Sequence, residues 1–176
     1  SEDDIVKLFK SLNVHKSTGC DKISAKFLKD GASVIACPIT YIMNLSIELS
    51  TVPRGIKIAR VVPLFKKGDR RFEGNYRPVS ILPVISKILE RAIYNQVCEY
   101  LSEKGIIYDL QSGFRSGYST DTARTYISDK LRYNMDKGLY TGTIILDLQK
   151  AFDTFEHHIL LCKLKSIGLD DNCVLW

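Results

Sequence analysis

The 176 residues are 45% hydrophobic and 26% charged, which excludes a disordered tail and suits one folded domain or a large piece of a bigger one. Five scattered cysteines, Cys20, Cys37, Cys98, Cys162 and Cys173, with no Cys-x-x-Cys pair, argue against a zinc site or a disulfide framework and suit a reducing compartment. The formal net charge of +5 is modest, and no apolar run can span a bilayer, the best stretch, Val34 to Met43, being short and interrupted by Pro38, so no membrane partner is expected.

The charge is unevenly placed. Arg54, Lys57, Arg60, Lys66, Lys67, Arg70, Arg71 and Arg77 crowd one segment against only Asp69 and Glu73. Such an excess can hold phosphates, or it can be a solvated face with no partner. In chain order, Ser1 to Asp4 followed by Ile5, Leu8, Phe9 and Leu12 predicts an amphipathic helix with an acidic first turn. Lys16 to Ile23 is a turn-rich basic loop, and Ser24 caps a helix that carries Phe27 and Leu28. A longer helix over 33–50 gathers Ile35, Ile39, Ile42, Met43, Leu45 and Leu49 on one side. After Pro53 and Gly55, the run Ile58 to Phe65 reads as a strand. Lys66 to Arg71 is a charged, flexible tip, and Arg77 to Leu82 is the returning strand. Pro83 and Ser86 open a helix whose apolar residues recur from Ile85 to Leu101. A loop with Gly113 and Gly117 leads to a helix over 121–137 that Gly138 stops. Thr141 to Leu148 is the sharpest strand of the sequence, continuously apolar and expected to be buried on both faces. A last helix over 158–167 closes at Gly168.

Asp147 ends that apolar strand. A carboxylate at the end of a central strand needs compensation, and Mg²⁺ supplies it in sites that take one or two carboxylates with phosphate oxygens and water. The competing reading is an Asp that caps the next turn. His157 and His158 are adjacent and point in different directions on a helix, so they do not form a metal pair.

The run Ile145-Leu146-Asp147-Leu148-Gln149-Lys150-Ala151-Phe152-Asp153 closely resembles the first catalytic palm motif of the reverse transcriptases of LINE-type, non-LTR retrotransposons. Three further blocks resemble the same family in the same order. They are Lys16 to Ile23, then Val62 to Asp69 with Asn75 to Leu82, then Gln111 to Arg115 followed by Ser119 and Thr120. The resemblance implies an α+β fold: fingers made of helices plus a basic β-hairpin over 1–138, leading into the first strand and helix of an incomplete palm over 139–176. It implies that Asp147 is the catalytic, metal-binding aspartate and that the backbone carbonyl of Leu148 is a second ligand to Mg²⁺, or to Mn²⁺ in its place. Phe152 matches the aromatic under the nucleotide sugar, with a core phenylalanine as the competing reading. Lys66 and Arg77 match the residues that hold the triphosphate, with Lys67 an alternative to Lys66. Lys67, Arg70, Arg71 and Arg115 are candidates for the nucleic-acid backbone, although Arg115 could instead make a structural salt bridge. Asp153 matches the pattern and is read as a cap.

The partners implied are an RNA template, a DNA primer, deoxynucleoside triphosphates and the remainder of the polymerase polypeptide, in nucleus and cytoplasm. The family's second acidic element, an aromatic-Ala-Asp-Asp turn, has no counterpart here: Asp3-Asp4 lies in the first helix and Asp170-Asp171 in a polar loop. The chain is therefore expected to be a fragment that does not polymerise DNA alone. Two other readings compete. One is a non-catalytic nucleic-acid-binding module derived from a reverse transcriptase; the other is a related polymerase such as an intron maturase or telomerase.

Overall fold

The computed structural model describes residues 1–148, 151–152 and 154–176. The chain forms two compact units, one made of Ser1–Tyr100 with Leu161–Trp176 and the other of Leu101–Leu160.

In the first unit, helix α1 (Glu2–Lys10) begins with a reciprocal cap. The Ser1 hydroxyl accepts from the Asp4 main-chain N–H, and the Asp4 carboxylate reaches back to the Ser1 end. Its apolar positions Ile5 and Phe9, one turn apart, are buried. Ser24 caps α2 (Ala25–Asp30) by accepting from Phe27 N, as the sequence predicts. Helix α3 (Ala32–Glu48) runs through Pro38, which forfeits one internal hydrogen bond. Met43 of the expected apolar face is buried and Ile35 and Ile39 pack against the core, while Ile42, Leu45 and Leu49 are exposed. A short α4 (Arg54–Lys57) precedes the hairpin of β1 (Arg60–Phe65) and β2 (Tyr76–Ile81), with a 3₁₀ turn at Glu73–Asn75. Helix α5 (Val84–Glu103) lays Val84, Ile88 and Leu89 onto the same core as Phe9, Leu28 and Ala36. Among the described residues no helix is long and apolar enough to cross a membrane.

The C-terminal residues belong to this unit. Helix α7 (His157–Ser166) is followed by α8 (Asp171–Leu175), capped by the Asp170 carboxylate on Cys173 N. The segment expected to be a polar loop after Gly168 is thus a turn of helix, because Asp170 satisfies its first N–H groups. Lys165 pairs with Asp171 at 2.7 Å. The Trp176 indole N–H donates to the Ser46 hydroxyl at 2.9 Å, and the Ser50 hydroxyl donates to the Asn172 carbonyl at 3.1 Å.

The second unit holds the last turn of α5, a loop over 104–119, helix α6 (Thr120–Asp136), the segment 139–148 and the start of α7. Ser119 and Thr122 cap α6 reciprocally, and Gly138 ends it at φ +68°. One expectation fails in this unit. Thr141–Leu148 is not a strand: among the described residues no strand pairs with it, and Ile144, Ile145 and Leu146 are 87%, 88% and 86% exposed instead of buried on both faces. A strand exists only through the N–H and C=O groups of a neighbour, and the sheet of the described residues has two strands, β1 and β2. The expected strand is therefore not formed among the described residues. Gln149, Lys150 and Asp153, the last expected to cap a turn, lie outside the described residues.

The basic loop at Lys16 to Ile23 has a fixed place in the first unit. A Cβ on Gly19 would lie 2.6 Å from the Pro83 nitrogen and 2.7 Å from its Cα, both main-chain atoms with no room to yield. Gly19→Ala should lower unfolding free energy by about 1–3 kcal/mol, seen as a lower urea midpoint at unchanged slope. Gly55→Ala, where nothing lies within 4 Å, should leave the midpoint unlowered, and equal effects at both positions would refute the close approach.

Candidate functional site

The hairpin sets the geometry of the basic segment. Its register places Leu64 opposite Arg77, Pro63 opposite Pro78 and Phe65 opposite Tyr76. Opposed residues share a face and neighbours along a strand alternate. One face therefore carries Arg60, Val62, Leu64, Arg77, Val79 and Ile81; the other carries Val61, Pro63, Phe65, Tyr76, Pro78 and Ser80. Beyond β1 the Lys66 N–H donates to the Asn75 carbonyl at 2.8 Å, so the ladder continues and Lys66 falls on the face of Arg77. The same bond fixes which pairs are hydrogen-bonded. Pro63 and Pro78 then occupy a pair whose N–H positions turn away from the partner strand, where proline loses nothing.

The tip is internally tied. Asn75 donates from its side-chain amide to the Asp69 carbonyl at 2.7 Å, and the Tyr76 hydroxyl donates to the Arg70 carbonyl at 2.9 Å. Gly68, at φ +92°, lies against the Asn75 side chain, which a Cβ would meet at 2.7 Å. The Arg71 guanidinium grips the Asp69 carboxylate at 2.9 Å, and the Arg70 guanidinium lies 4.9 Å over the Phe65 ring, itself edge-on to Tyr76. Arg70 and Arg71 thus serve first to shape the tip on the Phe65–Tyr76 face. Lys66, Lys67 and Arg77 are exposed, and none of the ion pairs or ring contacts found among the described residues engages them. The sequence gives no role to Asn75 and Tyr76 beyond their place in a motif, because a side chain that holds a loop carbonyl leaves no periodic signal.

Asp147, Leu148, Phe152 and Arg115 lie in the second unit. Asp147 and Leu148 are exposed, on the unpaired segment. A carboxylate and an adjacent main-chain carbonyl are hard oxygen donors of the kind Mg²⁺ takes, so the two fit part of a magnesium shell. Among the described residues no group of three His, Cys, Asp or Glu side chains is placed to hold a metal. Phe152 is exposed and meets the Phe114 ring edge-to-face, with centroids 6.2 Å apart. Arg115 makes no salt bridge among the described residues. It donates to the carbonyls of Tyr108 and Asp109 at 3.4 and 3.1 Å and stacks over the Tyr118 ring at 4.3 Å.

Residues 65–176 match the family model described as "Reverse transcriptase (RNA-dependent DNA polymerase)". Among curated proteins the chain is similar to a "Probable RNA-directed DNA polymerase from transposon BS" of Drosophila melanogaster. The two are 30% identical over 166 residues, which is 94% of this chain and 18% of that protein. It is similar also to the corresponding protein of transposon X-element from the same fly, 30% identical over 152 residues, 86% of this chain and 17% of that one. An "RNA-directed DNA polymerase from mobile element jockey" of Drosophila funebris is 26% identical over 166 residues, 94% of this chain and 18% of its own length. The chain spans 17–18% of the length of these three relatives.

The tip has a titratable signature. The Arg71 side chain, and after it the Arg71 main-chain N–H, hold the Asp69 carboxyl below the ordinary aspartate range. A carboxyl that titrates lower when folded keeps its clasp above the ordinary range and loses it as pH falls through the depressed value. Carbon NMR of the Asp69 carboxyl should show that low midpoint, and Arg71→Ala should bring it back up. A midpoint that ignores Arg71→Ala would remove the clasp.

Proposed function

This chain belongs to the reverse transcriptase (RNA-dependent DNA polymerase) family, and from that premise we propose that it is the fingers, 1–138, and the opening of the palm, 139–176, of a polymerase that copies RNA into DNA for a non-LTR retrotransposon. The transposon-borne polymerases it is similar to support that origin. The reading is carried by the family match across 65–176, which takes in both the hairpin cations and Asp147.

The reaction is template-directed addition. A primer 3′-hydroxyl attacks the α-phosphate of a deoxynucleoside triphosphate, the new phosphodiester forms, and pyrophosphate leaves. Lys66 and Arg77, on one hairpin face, take the triphosphate. Lysine acts there as a point charge, and the arginine fork grips two oxygens at once. Phe152 lies under the sugar. The Asp147 carboxylate and the Leu148 carbonyl would hold Mg²⁺, or Mn²⁺, which when bound neutralises phosphate charge and assists the attacking and leaving oxygens. One carboxylate does not complete such a site, so we assign the remaining acidic ligands to another part of the polymerase. Lys67 is the tip cation directed to the nucleic-acid backbone. Arg70, Arg71 and Arg115 reach phosphate with the donors their internal contacts leave over. Catalysis then comes from positioning and charge neutralisation.

The test is deoxynucleotide incorporation on a primed RNA template, with this chain beside a version extended through an aromatic-Ala-Asp-Asp turn. The extended protein should incorporate and the short chain should not. Asp147→Asn should cut the extended protein's rate by about 100-fold or more. Incorporation by the short chain would refute the split metal site. If neither incorporates and both bind RNA with a steep salt dependence, the chain is a binding module that uses its basic hairpin. In the active protein, Arg77→Lys should raise KM for the triphosphate more than it lowers kcat. A change confined to kcat would place Arg77 away from the bound nucleotide.

A further inference from the structure

The Gln111-Ser112-Gly113-Phe114-Arg115 block contains a backbone anomaly. Phe114 sits at φ +59°, in the left-handed region that bulky L-residues avoid. Gly113, beside it, could adopt that conformation without strain, yet it is not among the positive-φ glycines. The loop therefore places the strain on the aromatic residue. Strain of this kind persists only where the surroundings fix it, and it gathers at working sites.

The surroundings do fix it. On one side the Gln111 side-chain amide donates to the Gly113 carbonyl at 3.1 Å, and the Gln111 main-chain N–H donates to the Tyr108 carbonyl at 2.9 Å. On the other side Arg115 grips the Tyr108 and Asp109 carbonyls and stacks on Tyr118, whose N–H returns to the Arg115 carbonyl at 3.3 Å. Phe114 is held between two anchored neighbours. Phe114 and Phe152 are each 83% exposed. The two rings nevertheless meet at 88° with centroids 6.2 Å apart, the attractive edge-to-face arrangement.

We propose that Phe114 is a positioning residue for Phe152, held in its left-handed conformation by Gln111 and Arg115 so that its ring fixes the Phe152 ring and sharpens selection of deoxyribose over ribose. This rests on the reading of Phe152 as the ring beneath the nucleotide sugar. Rejecting a substrate that merely adds one hydroxyl is hard for an apolar surface, and it requires a ring that cannot swing aside. A pinned partner on its edge supplies that restraint.

Two measurements test the proposal. With 4-fluorophenylalanine at position 152 of this chain, the fluorine resonance should shift when Phe114→Leu removes the neighbouring ring current and should hold with Phe114→Tyr. No response to Phe114→Leu would mean the contact is absent, and the proposal falls. In the extended polymerase, discrimination is read as kcat/KM for a deoxynucleotide over that for the matching ribonucleotide. Phe152→Val should relax it. Phe114→Leu should relax it by about 2- to 10-fold, the worth of one aromatic pair, with deoxynucleotide kcat/KM little changed. Phe114→Tyr should restore it, and Phe114→Leu should add nothing in the Phe152→Val background. If Phe152→Val relaxes discrimination and Phe114→Leu does not, or if Phe114→Leu slows both substrates alike, Phe114 does not position Phe152. If Phe152→Val itself leaves discrimination unchanged, the reading of Phe152 has failed and the proposal fails with it.

Discussion

The register of one short ladder governs what this chain can do. Setting Leu64 opposite Arg77 and carrying the pairing on to Lys66 and Asn75 decides that the lysine and the arginine share a face. A slip of one residue would turn Arg77 to the other side. The pairing is guarded on both flanks. Pro63 and Pro78 face each other and suit a single alignment of the N–H groups, and the tip is tied to the start of β2 through Asn75 and Tyr76. The expected flexible, charged tip is thus a braced one, and its two faces differ: cations in the open on one, Arg70 folded over Phe65 on the other.

The segment that bears Asp147 is the converse case. Thr143 to Leu146 has the composition of a buried central strand, and its main chain has no ladder to join among the described residues. Apolar exposure this continuous marks a surface meant to be covered. The chemistry agrees with the topology. On the proposed reading Asp147 is one carboxylate of a magnesium site that takes more, and the segment that carries it has the composition of a strand without a partner strand among the described residues. The first unit, by contrast, closes its own core around Phe9, Leu28, Ala36 and Leu89.

Much of the local structure was legible. Ser24 caps the helix it was expected to cap, and the helices expected to start at Ser1 and Asp121 begin within one residue of those positions. The hairpin strands begin and end within two residues of their expected limits, and Gly138 and Gly168 stop helices as glycine does. These features depend on neighbours a few residues apart. Three things were not legible, each for want of long-range information. The strand at 141–148 was read from its own residues, although a strand is a property of a pair. The turn of helix at 171–175 needed the Asp170 cap and the Trp176 anchor on Ser46 to be recognised. The Phe114–Phe152 contact joins residues 38 positions apart, and neither periodicity nor composition links them. Of the candidate site, residue types and order were readable. The division of the hairpin cations between two faces came only from the register.

The central claim is that the hairpin offers a nucleotide one face, that of Lys66 and Arg77. The direct measurement is an amide and side-chain NMR titration of this chain with a deoxynucleoside triphosphate and Mg²⁺, read residue by residue along the hairpin. The account predicts that signals of Leu64, Lys66, Arg77 and Val79 move together. Those of Val61, Phe65 and Ser80 should stay in place, and Arg77→Ala should suppress the response. Movement centred on Phe65, Arg70 and Tyr76, or a response indifferent to Arg77, would contradict it.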